Sequence, residues 1–166
     1  LDQFPLREEL RKLKAAWHFD VYNQSDNNGI YLVGDQVLKL DTTLKEEEVN
    51  ALISNTNKVY ESYLQGMNVH FAVIPDKNYF IPEELGYPAL DYAHLEQLLQ
   101  SGLNKDIHYL GMTPFDSLSL DDYYRTDLHW RQESVLPVAE QIAAALDVSV
   151  EEGFTPRALE RPFYGV

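Results

Sequence analysis

An α/β fold is expected from three observations. The run Val69 to Ile74 is apolar on both faces apart from His70, the pattern of a strand covered on both sides. A helical segment over about 91–101 follows, and then a second short β-prone run, Ile107 to Leu110. Strand, helix and strand in that order form a βαβ unit, whose strands run parallel through a right-handed crossover. A chain of 166 residues suits one ordinary domain. It is expected to divide into an N-terminal helix, hairpin and helix (1–66) and a βαβ core (67–166).

The elements follow in order. Leu6, Leu10, Leu13 and Trp17 recur at spacings of three and four, which predicts a helix over 5–21 with Pro5 in its first turn. Lys and Arg fill its other face. The stretch Asn23 to Gly29 stops it. Asp26-Asn27-Asn28-Gly29 lacks the alternating carboxylates and closing Glu of an EF-hand, so it reads as a turn and not a calcium loop. Ile30 to Val33 and Val37 to Leu40 form a hairpin around Gly34-Asp35, which suits a type II′ turn. Val49, Leu52, Ile53, Val59, Tyr60 and Tyr63 lie on one helical stripe, with Thr43 and Glu46 as a capping box and Gly66 as the stop.

After the strand 69–74, the loop Pro75-Asp76-Lys77-Asn78 is polar. Ligands of open α/β sheets bind at such carboxyl ends, although an ordinary surface turn has the same composition. Asp91 is the N-cap of the helix 91–101, and Gly102 stops it. Val135, Val138, Ala139, Ile142, Ala145 and Leu146 form the stripe of a last helix. Pro137 is tolerated there if Ser134 is the N-cap, which puts the proline in the first turn.

Composition removes several functions. The chain has 27 acidic and 13 basic residues and a formal charge of −14. Nucleic acid and anionic membranes both require clustered positive charge, so neither is an expected partner. No cysteine is present, which excludes disulfides, thiolate catalysis and cysteine-bound metals. No apolar run approaches the roughly 20 residues that span a bilayer. The sequence opens on Leu1-Asp2-Gln3-Phe4-Pro5 and closes on Arg161-Pro162-Phe163-Tyr164-Gly165-Val166. Both ends read as the interior of a longer gene product whose targeting segment is absent.

The densest polar constellation is Tyr123-Tyr124-Arg125-Thr126-Asp127-Leu128-His129-Trp130. In an extended segment residues i and i+2 point the same way, so Asp127 and His129 can meet. A carboxylate on one imidazole nitrogen fixes the tautomer and leaves the other nitrogen as a base. A hydroxyl brought to that nitrogen becomes a nucleophile. The same spacing also suits a structural histidine beside Trp130. No ligand-pair spacing links His129 to His70, His94 or His108, and neither metal nor cofactor is expected.

The stretch Thr126-Asp127-Leu128-His129-Trp130 resembles the signature of the bacterial DHHW family. Similar Asp-x-His-Trp segments occur in SGNH-hydrolase-like polysaccharide O-acetyltransferases, including alginate acetylation proteins. Phe4-Pro5-Leu6-Arg7, Asp26-Asn27-Asn28-Gly29-Ile30-Tyr31 and Val73-Ile74-Pro75-Asp76-Lys77-Asn78-Tyr79 look like further landmarks in the same order. The resemblance implies a three-layer α/β/α fold with a largely parallel sheet. It also implies that Asp127 orients His129, that His129 is the general base, and that Trp130 packs behind the imidazole. Pro75, Asp76 and Lys77 would line the pocket, together with Tyr124, Arg125 and Trp130. The nucleophilic Ser of the group lies later in the chain, in a Gly-Asp-Ser element.

Two departures stand out. Leu128 replaces the family's first His, and no Gly-Asp-Ser occurs. Ser101, Ser117, Ser119, Ser134 and Ser149 have no nucleophile-like context. The implied activity is an extracytoplasmic esterase or O-acetyltransferase working on a cell-surface polysaccharide with an acyl donor, its Ser missing from these residues. The alternatives are a non-catalytic surface module that binds glycan or protein through Tyr and Trp, and an α/β domain whose Asp127–His129 pair is structural. A charge of −14 makes a neutral or bound polysaccharide an easier partner than a free polyanion.

Overall fold

The computed structural model describes residues 6–20, 26–27, 29–39, 42–81, 85–87 and 89–150, with 155, 157, 160 and 161. Pro5, the start Leu1–Phe4, the Asn23–Ser25 part of the first turn, Asn28, Leu40 and the terminal residues 162–166 lie outside them. Four helices and two small sheets make a mixed α/β structure. The order is α1 (Arg7–Asp20), β1 (Asp26–Asn27), β2 (Ile30–Val33), β3 (Gln36–Lys39), α2 (Glu46–Val59), β4 (His70–Ala72), α3 (Tyr92–Gly102), β5 (His108–Gly111) and α4 (Val135–Ala145). A π-helical turn, Tyr60–Leu64, extends α2, and short 3-10 turns cover Lys77–Phe80, Thr113–Phe115, Leu120–Asp122 and Gln132–Ser134.

β4 and β5 pair in parallel around α3, with His70 opposite His108, so the βαβ unit forms as expected. Parallel pairing among the described residues stops there. β1, β2 and β3 make a separate antiparallel sheet, because each parallel pair needs its own crossover and the sequence supplies one. The hairpin turns at Gly34-Asp35, with Val33 opposite Gln36. Gly34 has φ +60° while Asp35 keeps a negative φ, the sign pattern of type II′. Asp26-Asn27, read as a turn, is a short strand paired to Ile30 and Tyr31.

Two apolar clusters flank β4. Val49, Ile53 and Tyr60 from α2 and its π turn meet Leu99, Leu103 and Ile107, with Val69, Phe71 and Val73 against them. Ala72 instead faces the cluster of Phe115, Leu118 and Val138, joined by Phe80, Trp130 and Ile142. Neighbouring residues of β4 thus serve opposite sides, which explains why Phe71 and Ala72 are both apolar. A Cβ at Gly102 would come within 2.9 Å of Ile53 Cδ1, so glycine is what lets α3 close on α2.

Several local expectations change. α2 is capped by Lys45 without a side-chain bond, so Thr43 and Glu46 form no capping box. Leu52, Val59 and Tyr63, expected on the buried stripe, are exposed, since the partner elements cover only the Val49–Ile53–Tyr60 line. Leu6, just before α1, and Leu10, Leu13 and Trp17 within it are likewise exposed. The other two cap positions hold, although the Ser134 side chain makes no cap bond. Asp91 accepts the His94 N–H at 2.8 Å, and α4 begins after Ser134 with Pro137 in its first turn.

Candidate active site

The site is assembled on the loop that leaves the carboxyl end of β4. Asp76 caps the 3-10 turn Lys77–Phe80 by accepting the Asn78 N–H at 2.9 Å. The turn aims Lys77 and Asn78 inward, and both are buried. The Asn78 side chain accepts from Tyr31 Oη at 2.5 Å and donates to Lys39 O at 2.8 Å, which docks the hairpin. The Lys77 ammonium donates to Gln36 Oε1 (3.1 Å), Val37 O (3.0 Å), Tyr124 O (2.5 Å) and Arg125 O (3.3 Å). Val37 N–H also donates to Arg125 O at 2.7 Å. The hairpin and the Tyr124–Arg125 segment therefore meet on the strand-end loop.

Segment 123–131 closes on itself. Tyr123 and Trp130 form an antiparallel bridge, and Tyr124 N–H donates to His129 O at 3.1 Å. Tyr123 Oη donates to the carbonyl of buried Pro75 at 2.8 Å. Trp130 rests its ring on Phe115, with centroids 5.5 Å apart, and so anchors the segment in the core. One step further, Asp122 accepts from Ser119 N–H (2.8 Å), Ser119 Oγ (2.9 Å) and Ser134 Oγ (2.7 Å). Burial alone would raise the Asp122 pKa, but the bonds from Ser134 and Ser119, with Arg131 nearby, hold it below the usual carboxylate value.

The tip of this loop carries Asp127 and His129. His129 Nδ1 lies 2.6 Å from Asp127 Oδ1, and the His129 N–H donates to the same oxygen at 3.1 Å. A carboxylate only accepts, so Nδ1 carries the proton. The expected partnership exists, but a bend creates it and not an extended strand. The two side chains differ sharply in exposure, 80% for His129 and 11% for Asp127. Nε2 makes no hydrogen bond to a described residue and faces solvent. A poorly hydrated carboxylate behind an open Nε2 is the arrangement of an imidazole base.

The other predicted residues divide. Lys77 reaches the loop through its bonds to the Tyr124 and Arg125 carbonyls. The Arg125 side chain turns away to pair with Asp35 at 2.9 Å. Tyr124 Oη accepts weakly from Gln132 N–H at 3.5 Å. Asp76 faces α3, accepting from Tyr92 Oη at 2.6 Å, and burial followed by that bond pushes the Tyr92 pKa up. Gln36 and Asp122 were not named from the sequence, and Tyr31, Asn78 and Tyr123 were named only within longer segments with no role of their own. The signal available was a lysine and an asparagine directly after an apolar strand, where inward polar groups need partners. Among the described residues no group of three or more His, Asp or Glu side chains is placed to hold a metal, and no helix is long and apolar enough to cross a membrane.

No family model matches the chain. It is similar to a protein named "Probable alginate O-acetylase AlgJ" from Pseudomonas syringae pv. tomato, at 27% identity over a 159-residue alignment spanning 87% of this chain. It spans 40% of the length of that relative. The fold is similar to that in "Structure of Bacillus cereus PatB1 with sulfonyl adduct", with a TM-score of 0.57 and 19% identity over 70% of this chain and 43% of the other. Distant sequence similarity to an alginate O-acetylase and a shared fold thus accompany the Asp127–His129 geometry.

Proposed function

We propose that this chain belongs to a bacterial extracytoplasmic SGNH-like O-acetyltransferase or esterase that acts on a cell-surface polysaccharide, and that it supplies the orienting acid and the base. The observation that carries the reading is the 2.6 Å contact from His129 Nδ1 to a largely buried Asp127, with Nε2 left open. The similarity to an alginate O-acetylase supports the reaction class, and the resemblance of the Asp-x-His-Trp segment supports the SGNH-like architecture.

In this reading Nε2 takes the proton of an attacking hydroxyl as its oxygen bonds to the acyl carbonyl carbon. The tetrahedral adduct collapses when Nε2 returns that proton to the departing alcohol oxygen. The acylated hydroxyl then passes its acetyl group to a sugar hydroxyl or to water by the same two proton moves in reverse. Asp127 keeps Nδ1 protonated throughout and stabilises the imidazolium. The resemblance assigns the nucleophile to a Ser in a Gly-Asp-Ser element, which does not occur in these 166 residues. The net charge of −14 favours a neutral glycan over a free polyanion.

The test uses the full-length gene product with an activated acetyl ester and a neutral oligosaccharide acceptor, followed by mass spectrometry of the sugar. Acetylated sugar or acceptor-independent ester cleavage is expected. Binding of the oligosaccharide with no cleavage in either case would replace this reading with a non-catalytic glycan-binding module.

A further inference from the structure

Lysine is almost never fully buried unless its charge is answered. Lys77 is 1% exposed, and its recorded hydrogen bonds run to one amide oxygen and three backbone carbonyls. Burial lowers its pKa, and the Asp127 carboxylate pulls it back up. A side chain needed only to fill this space would be apolar. The carbonyl it holds most closely is that of Tyr124, at 2.5 Å. The same carbonyl accepts the Asp127 N–H at 3.4 Å, while the Tyr124 N–H donates to His129 O. The Tyr124 carbonyl is thus shared by Lys77 and the Asp127 N–H, and the Tyr124 N–H reaches the backbone of His129.

We infer that Lys77 is a positioning residue for the Asp127–His129 pair. Its ammonium clamps the Tyr124 and Arg125 carbonyls to β3 and so fixes the bend in which Asp127 meets Nδ1. This role rests on the base assignment made above, and it adds a buried cation bonded to the backbone of the loop that carries the dyad. The clamp acts through the backbone and through Asp127, never on the reacting atoms.

The experiment is a 15N NMR reading of the His129 ring in the full-length protein, with the imidazole neutral, for wild type, Lys77→Met and Lys77→Gln. Wild type should show a protonated Nδ1 and an unprotonated Nε2. Both variants should lose that pattern, with the proton moving to Nε2 as in free imidazole, while the methyl signals of Ile53 and Leu99 in the other cluster stay in place. Survival of the Nδ1–H pattern in either folded variant overturns the inference. So does collapse of the Ile53 and Leu99 signals in both variants, which would make Lys77 a general support of the fold. No substrate enters this reading, so its failure and that of acyl transfer are separable.

Discussion

The two ends of the β4–β5 pair hold histidines in opposite circumstances. At the amino end His70 and His108 face each other in register, with ring centroids 4.8 Å apart. His70 Nε2 is tied to Asn68 Oδ1 at 2.8 Å, and its Nδ1 is buried with no hydrogen-bond partner among the described residues. Nearby, an apolar cavity of ≈ 260 Å³ is lined by residues including Tyr60, Leu64, Val69 and Ile107. At the carboxyl end His129 has a carboxylate on Nδ1 and solvent at Nε2. An imidazole becomes a base through a carboxylate partner and an open nitrogen, whereas half-buried His70 has an amide partner and an enclosed Nδ1. The contrast also follows the general placement of α/β sites beyond the carboxyl ends of strands.

The contrast is broken most forcefully at Asp127. Asp127→Asn should lower the single-turnover acetyl-transfer rate of the full-length protein by about 10²–10⁴-fold, since the imidazole loses its tautomer and its counter-charge. A smaller effect is expected two turns of chain away. Asp122 is held below its usual pKa in the folded state, so it adds stability above about pH 3.8 that is lost as pH falls through the lower folded value. Asp122→Asn should cost about 1–2 kcal/mol at neutral pH and flatten the acid limb of urea-unfolding stability measured against pH. An unchanged acid limb would remove Asp122 from the support of the loop. The smallest effect belongs to the amino end. His70→Phe keeps a ring against His108 and deletes the unpartnered nitrogen, so unfolding stability should move by less than about 1 kcal/mol and the transfer rate should not change.

What could be read from sequence follows from how local each cause is. Gly34-Asp35 and the Asp91 cap are decided within a few residues, and the structure keeps both. The β4–α3–β5 unit was visible because a strand covered on both sides must be apolar throughout. The contact between Asp127 and His129 was also local, although spacing alone suggested an extended segment where a bend occurs. Lys77 shows what stays hidden. Its four acceptors lie 40 to 48 residues away in sequence, so the residues beside it do not show what it bonds. The stripe of α1 shows the converse, because periodicity identifies an apolar face without saying what meets it, and Leu10, Leu13 and Trp17 are exposed. Thr43 and Glu46 matched a capping motif, yet Lys45 took the cap position and left both side chains outside it.

The most direct measurement is the rate of activated acetyl-ester cleavage by the full-length protein, compared between wild type, His129→Ala and His108→Ala. A loss of about 10²–10⁴-fold for His129→Ala, with His108→Ala at the wild-type rate, is the predicted result. Equal rates for wild type and His129→Ala would contradict the account.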